Sequence, residues 1–483
     1  MIHSRAGNSK RNGILTSTMS IHSFIFFGGR LTRRSISTTH LFCWKLSFVV
    51  LILFTFTIPS QGQDALFGSI DDPSEALSRV KSPPQSAFEG GAGFSLIGPQ
   101  WYTAASAKFM RRGEQSYVRL VGVIRTGLYG AYGPDSDETY DLARLIQVAR
   151  YQSFKTGSYL RLGPLSRTRL GSGLLVNFLN TEAAWDDRTV GIEARVSTNT
   201  VTFEGFSEDA FSVGLIGARL SLTPFARMNS PFSTLMLSAS VVSDQKMRLA
   251  RNHPVDGQEV GIRIQAYAAG GFSFFPFINV ARIPEFGQGI AFGADLENDN
   301  FIDFARLHFR LALHYNSSDF RSGYFGSFYT VNSHRAQVLT EKNSDPAGFE
   351  LREIERGNSI ESEIRLLVFN RLEFWYAFFR YHGVQPLSEY HLRLRFSTNR
   401  FNVSIGQDRA GLVGFRSLFN SLGDENRLRF EFEYRIFGPL WAKILADYTY
   451  KNLGDSESDI PKFIVQRRFS PVLTLRYPAS VRW

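Results

Sequence analysis

The stretch "HYNSSD", His314–Asp319, is where catalytic chemistry would first be sought in this 483-residue chain. At the period of a strand, His314, Asn316 and Ser318 share one face. A base must approach its nucleophile within about 3 Å, whereas residues four apart on an extended strand are separated by about 13 Å. His314 therefore reads as an ordinary wet-face residue, and no residue is assigned a catalytic role. "DLENDNFID", Asp295–Asp303, sets Asp295, Glu297 and Asp299 at alternate positions, with Asp303 following. Calcium asks for six to eight oxygens, and its helical loop requires Gly at the sixth place. Asn300 stands there instead. The segment reads as an acidic solvated loop, with no metal assigned. "GGAG", Gly90–Gly93, lacks the lysine and helix of a phosphate-cradling loop, so no cofactor is expected. Basic residues among aromatics, in Ser327–Gln337 and Gln466–Ser470, suit a lumen or anionic headgroups better than nucleic acid.

The elements that would position these side chains are strands. "RLRFEFEYRIF", Arg427–Phe437, alternates Arg427, Arg429, Glu431, Glu433 and Arg435 with Leu428, Phe430, Phe432, Tyr434 and Ile436. The period is two, and the two faces ask for different solvents. Arg306–Tyr315 opposes Arg306, His308, Arg310 and His314 to Leu307, Phe309, Leu311, Leu313 and Tyr315. His391–Thr398 sets Arg393 and Arg395 against Leu392, Leu394 and Phe396, and Leu440–Tyr450 carries Lys443 and Asp447 on one face. Short polar joints, Asn370-Arg371 and Asn399-Arg400, suit tight turns; Val338–Ser359 and Asn452–Pro461 suit exposed loops. Lipid outside and a watery lumen inside would explain both faces and both loop classes. A secreted sandwich or β-helix would carry less bulky dry faces and fewer ionised wet ones.

Composition narrows the choice. Aromatics reach 14%, with 44 Phe and 18 Tyr, which suits a barrel with aromatic girdles. No run of 18 apolar residues follows residue 62, so no helical span is expected. The net charge of +10 comes mostly from the first 62 residues, which are basic and free of Asp and Glu. The basic balance therefore does not point to nucleic acid. Leu46–Ile58, "LSFVVLILFTFTI", follows Lys45 and precedes small residues at Ser60 and Gly62. That is the pattern of a signal peptide cut near Gly62, although acid-free, Arg- and Ser-rich termini also resemble organelle transit peptides. The stretch before Met19 reads as an extension from an upstream start. The single cysteine, Cys43, precedes the apolar run, so neither a disulfide nor a lipoprotein cysteine is expected. Asp71–Val80 reads as one short helix, ended before Pro83 and Pro84.

The C-terminus, "LTLRYPASVRW", is apolar at Leu473, Leu475, Tyr477, Ala479, Val481 and Trp483. This looks like the terminal strand by which bacterial outer-membrane barrels are recognised during assembly. The resemblance implies an assembly signal at Tyr477, Val481 and Trp483, and a partner in the barrel-assembly machinery.

A family resemblance follows from other stretches. "LRLGPLSRTRLGSGLLVNFLN" (Leu160–Asn180), "VGIEARVSTNTVTFEGFSED" (Val190–Asp209), "GLIGARLSLTPF" (Gly214–Phe225) and "FRSGYFGSFYTVNSHR" (Phe320–Arg335) occur in this order. The chain thereby resembles a family of uncharacterised bacterial outer-membrane β-barrel proteins over roughly residues 88–340. The Leu-Gly-x-Gly and Phe-Glu-Gly-Phe pieces are the more specific; around the Gly-Tyr-Phe piece the proline and glutamate of the pattern are missing. The resemblance implies a fold and a location and carries no functional residue over.

The expectation is an all-β, transmembrane antiparallel β-barrel of roughly 16–20 strands. Residues 1–62 would be a cleaved signal peptide, 63–86 a periplasmic segment and 87–483 the barrel, in a bacterial outer membrane. His308, Arg310, His314, Arg393, Arg395, Arg429, Glu431, Glu433 and Arg435 would line the lumen. The expected partners are outer-membrane lipid, the assembly machinery and a small polar solute. The function expected is a pore or transporter rather than an enzyme. A barrel plugged by its own charges, with a structural or assembly role, is the alternative, and an outer-membrane lipid hydrolase a distant third.

Overall fold

Alternation at period two, repeated through the chain, builds a single closed sheet. The structure is a computed structural model that describes residues 86–478, except 114, 154–155, 213, 246–254, 302–303, 332–355, 370, 383–387, 413–425 and 453–462. The signal peptide, the Asp71–Val80 helix and the terminal residues Val481 and Trp483 lie outside the described residues.

Twenty antiparallel staves form the wall. They are β1 Ala87–Ile97, β2 Gln100–Arg112, β3 Ser116–Gly127, β4 Ile146–Gln152, β5 Tyr159–Gly163, β6 Gly191–Ser197, β7 Val201–Ser207, β8 Leu215–Leu222, β9 Met236–Asp244 and β10 Val255–Arg263. The second half continues with β11 Phe272–Ile283, β12 Gly287–Phe301, β13 Ala305–Asn316, β14 Gly357–Val368, β15 Leu372–His382, β16 Ser388–Ser397, β17 Phe401–Leu412, β18 Asn426–Phe437, β19 Leu440–Asn452 and β20 Phe463–Pro478. Each pairs with its sequence neighbours, and β1 pairs with β20, with Gly90 opposite Leu475 and Ala92 opposite Leu473. Closure removes the unpaired edges that an open sheet would expose.

The connections fall into two sets by end. At the turn end, residues 113–115, 198–200, 302–304, 369–371, 398–400 and 438–439 join consecutive staves directly. At the loop end lie the described residues 128–145, 164–190 and 317–331, with the short joints 98–99 and 284–286. Asn399-Arg400 and Arg371 belong to the first set; the expected loops 338–359 and 452–461 lie mostly outside the described residues, and Gly357–Ser359 open β14 while Asn452 ends β19. "DLENDNFID" departs from expectation. Its residues through Phe301 are not a loop but the second half of β12, in register with β13: Asp295 opposes Arg310 and Glu297 opposes His308. Cross-strand basic partners stabilise these acids in a strand, a pairing that only the register reveals.

Outward faces are apolar and exposed, as at Phe88, Phe94, Trp101, Leu313, Tyr434, Leu473 and Tyr477. Inward faces are charged and buried, as at Glu89, Lys108, Glu259, Arg310, Glu361, Asp408 and Arg468. The apolar core of the molecule lies inside the barrel, because two connections fold into it. One is residues 164–190; the other is residues 317–331, the described part of the connection after β13. Leu165, Leu174, Leu175, Phe320 and Phe325 from these segments pack against Phe206, Leu215, Val242, Val255 and Ile283 on β7 to β11.

Candidate functional site: the filled lumen

The first inserted segment can turn back on itself because of its glycines. "LGSGLLV", Leu170–Val176, has Gly171 at φ +64 and Gly173 at φ +86, a region unfavourable for residues with a Cβ. A Cβ on Gly171 would also lie 2.8 Å from Glu259 Oε1. Without it the chain closes onto Glu259, whose Oε1 accepts from Ser172 N at 3.1 Å, Ser172 Oγ at 2.8 Å and Asn279 Nδ2 at 2.6 Å. The second segment threads beside the first. Gly323 N donates to Leu174 O at 2.9 Å, Phe325 N to Leu175 O at 3.1 Å and Asn177 N to Phe325 O at 3.3 Å. These bonds supply partners that buried irregular backbone would otherwise lack.

Arginines of the first segment reach the opposite wall. Arg169 bridges two carboxylates on β14, with Nη2 2.7 Å from Glu361 and Nη1 2.7 Å from Glu363. Arg167 pairs with Asp408 on β17 at 2.9 Å and stacks 4.0 Å over the Trp375 ring. Arg167 is 1% exposed and Trp375 0% exposed. Trp375 Nε1 in turn donates to Glu363 at 2.6 Å. Further along, Glu182 pairs with Arg427 at 2.8 Å, and Arg468 Nη2 contacts Asp186 at 2.8 Å. Burial alone would raise the Asp186 carboxyl; the Arg468 guanidinium and its hydrogen bond outweigh that and hold it below the usual carboxylate range.

The residues anticipated as lumen-lining fall into four places. His308, Arg310 and His314 are buried on β13. There Arg310 contacts Asp295 at 3.4 Å and donates to Ser172 O, while His314 Nε2 lies 3.6 Å from Glu361. Arg393 approaches Asp408 at 3.9 Å from β16. Its guanidinium lies where a Cβ on Gly406 would be, so this glycine is what gives the arginine room. Arg395 meets Glu373 at 3.5 Å, nearer the turn end. Arg429, Glu431 and Glu433 belong to a separate ladder at that end, running between staves with no inserted segment in its ion pairs. In it Glu89 meets Arg476 at 2.8 Å and Lys108 at 3.5 Å, Arg476 meets Glu433 at 3.0 Å, and Lys443 joins Glu433 to Glu431. Arg429 also stacks 4.4 Å over Trp185. Arg435 is exposed at the turn itself, its Nε donating to Gly438 O at 2.8 Å. Tyr477, anticipated in the assembly signal, is exposed on the outward face of β20.

Among the described residues, the nearest approach to a catalytic constellation is Ser327, His391 and Asp408. Asp408 Oδ1 lies 2.9 Å and Ser327 Oγ 3.5 Å from the same ring nitrogen, His391 Nδ1. A relay needs the acid and the nucleophile on opposite ring nitrogens, so this geometry orients a side chain and does not activate a hydroxyl. The sequence reading missed Arg167, Arg169, Trp375, Asp408, Glu361 and Glu363. The run "IESEIRL" on β14 carries the period-two signal that would have found the two glutamates.

No family model and no curated protein matches the chain. Among solved structures it is similar to several at about one tenth identity. Pseudomonas aeruginosa OccK3 (OpdO) is 10% identical, with 81% of this chain and 95% of that chain covered and a TM-score of 0.31. Acinetobacter baumannii OccAB3 is 10% identical over 81% and 99%, with a TM-score of 0.29. Pseudomonas aeruginosa OprD is 9% identical over 81% and 94%, also at 0.29. Similarity at this level extends to no residue and no solute; the barrel class rests on the closed sheet itself.

Proposed function

We propose that the protein is an outer-membrane channel for small polar solutes, with a charged lumen narrowed by its two inserted segments. The observation that carries this reading is the reversal of faces: apolar side chains point out of a closed sheet and ionised ones point in. Only a wall between lipid and water needs that arrangement. Most connections at the turn end are short and the long connection 164–190 lies at the other, which orients the turn end toward the periplasm. The partners are then outer-membrane lipid around the wall, the assembly machinery at the C-terminal strand, and the solute in the lumen. The charges of the ladder and the buried pairs hold structure and select solutes; no enzymatic role is proposed. The resemblance to the uncharacterised barrel family rests on Leu160–Asn180, Val190–Asp209, Gly214–Phe225 and Phe320–Arg335, and the described residues of the first and last supply much of the two inserted segments.

A second reading has its own observation. Arg167, Trp375 and Asp408 are almost wholly withdrawn from solvent, as in a barrel that its own chain has sealed. Liposome swelling separates the two. Vesicles carrying the folded, heat-modifiable barrel should swell in isotonic small sugars or amino acids if it is a channel. Vesicles that stay shrunken would favour a sealed barrel with a structural role.

A further inference from the structure

The two staves that close the barrel are joined less well than their neighbours. β19 and β20 pair without a gap from Leu440 opposite Leu475 to Asn452 opposite Phe463, and β1 and β2 from Ala87 opposite Met110 to Ile97 opposite Gln100. Between β1 and β20 the pairing runs from Ala87 opposite Pro478 to Gly93 opposite Val472. It skips Phe94 and Ser95 and resumes with Leu96 opposite Phe469 and Ile97 opposite Arg468. The register is the same on both sides of the gap, so no extra residue causes it. Successive residues of an antiparallel strand bond alternately to one side and the other. Gly98 N donates to Arg467 O, and on the other edge Arg476 N donates to Pro439 O. The odd-numbered residues of β20 are therefore bonded to β1 and the even-numbered ones to β19. Pro471 is odd. It stands opposite Phe94, facing β1 without an N–H, so the Phe94 carbonyl meets no donor there. Pro276 on β11 is different. It lies where the register itself changes, between Arg263 opposite Phe277 and Tyr267 opposite Phe274.

Among the described residues, little else holds the seam toward the loop end. Beyond the gap the staves share the bonded positions Leu96 with Phe469 and Gly98 with Arg467, and β1 then turns into β2. On the inner side a hydroxyl pair spans the gap, Ser95 Oγ lying 2.7 Å from Ser470 Oγ. The ion pair across the seam, Glu89 with Arg476 at 2.8 Å, lies on the other side of the gap, toward the turn end. Between that pair and Arg468 the inward positions are Gly91, Gly93, Ser95, Ser470, Val472 and Thr474, and none is charged. A Cβ on Gly93 would lie 2.7 Å from the Val472 Cα, so no larger residue could knit the inner side there. The wall thus carries an uncharged window at the place where its ladder is interrupted.

We propose that the wall opens at this seam: the β1–β2 hairpin parts from β20 above Pro471 and joins the lumen sideways to the membrane. A backbone carbonyl without a partner is costly at membrane depth, so the closed seam gains less from its pairing than a continuous one. Parting it severs two bonded positions and one hydroxyl pair, whereas parting β19 from β20 would sever an unbroken ladder. A solute that leaves this way must be accepted by hydrocarbon, which strongly disfavours a charged group. The class that fits is a small molecule with an uncharged, apolar body, and the uncharged window suits its passage. The inference is independent of whether the lumen conducts from end to end.

Amide hydrogen exchange on the wild-type barrel in lipid nanodiscs reads the seam without any substitution. Adjacent amides of β20 lie at nearly one depth and face different staves: Arg467 and Phe469 face β1, Arg468 and Ser470 face β19. The first two should exchange at least about tenfold faster than the second two. Pro471→Ala restores the missing donor and should slow Phe469 by about tenfold. Equal exchange on the two edges, or no change in Pro471→Ala, would overturn the proposal. Passage is read with dodecanol carrying a photoreactive diazirine, dissolved in the bilayer around the wild-type barrel. It should label the inward Val472 and Thr474 as well as the outward Leu473 and Leu475. Oxidising a Ser95→Cys/Ser470→Cys pair should remove the inward labels. Oxidising Ala92→Cys/Ala105→Cys, which ties β1 to β2 and leaves the seam free, should preserve them. Inward labels that never form, or that survive the lock across the seam, would overturn the proposal.

Discussion

The inserted segments meet two unlike walls. Toward β7 to β12 the contact is mainly apolar, with Leu165, Leu174, Leu175 and Phe325 against Phe206, Leu215, Val242 and Ala291, and Glu259 and Asp244 as its polar points on Ser172 and Tyr329. Toward β14 to β17 it is ionic, with Arg169 on Glu361 and Glu363, Arg167 on Asp408, and Arg321 on Glu389 at 2.7 Å. Apolar contact is non-directional and scales with the area removed from water. It fixes the segments against one wall without choosing a register. A charge pair in a solvent-poor site tolerates few geometries and is strongly unfavourable when one member is lost. The ionic wall therefore sets where the segments sit, and the apolar wall holds them there.

Removing the central acid should do most damage. Asp408→Ala removes the buried carboxylate shared by Arg167 and His391 Nδ1, so it should cost about 3–5 kcal/mol. The readout is the temperature at which the compact band is lost on unheated-versus-heated gels. Asp408→Asn, which keeps the shape and some hydrogen bonds, should fall between mutant and wild type. On the apolar wall, Leu175→Ala opens a cavity and should cost about 2–5 kcal/mol. Its signature differs: the lumen-facing ion pairs stay made, so ion preference in conducting barrels should not change. If Leu175→Ala altered ion preference as much as Asp408→Asn, the division between the walls would be wrong.

The outer surface gives a smaller contrast. Phe432 faces outward on β18, and Phe432→Arg should cost about 2–4 kcal/mol if the site lies near the membrane midplane. Glu431→Gln, its inward neighbour beside Lys443, should leave folding nearly intact and make the lumen less favourable to cations. Equal losses of folded barrel would place both residues on one face. The smallest effect expected is with pH. Asp186 keeps its charge below the usual carboxylate range, so its contribution is complete above about pH 4. It is lost only as the pH falls through its lowered value. Protease nicking of the 164–190 segment should thus be flat from pH 7 to pH 5, and an increase between those values would remove Asp186 as an anchor.

Much of the wall was legible from the chain alone. "RLRFEFEYRIF" and "RLHFRLALHY" declare two faces and two solvents, and β18 and β13 carry them as strands. What alternation cannot convey is which connection turns inward. Residues 164–190 and 317–331 mix glycines, apolar residues and charges, and a loop-end excursion and a lumen insertion have the same local pattern. Their fate depends on partners hundreds of residues away, such as Arg167 with Asp408. Trp375 shows the same limit: nothing in its local pattern tells that on β15 it points inward, where the Arg167 guanidinium stacks on it. Asp295 was taken for part of a loop because its partners, Arg263 at 3.4 Å and Arg310, lie on other staves.

The central claim is a charged lumen that conducts and is narrowed by segments held on an ionic wall. Single-channel recording in planar bilayers, with wild type beside a Glu361→Gln/Glu363→Gln double variant, tests it most directly. Without its two carboxylates, Arg169 loses its anchor on β14, and the first inserted segment should loosen. The account predicts discrete small steps for wild type and larger or flickering steps for the variant. Silence from both, in preparations whose barrels are folded and inserted, would contradict it.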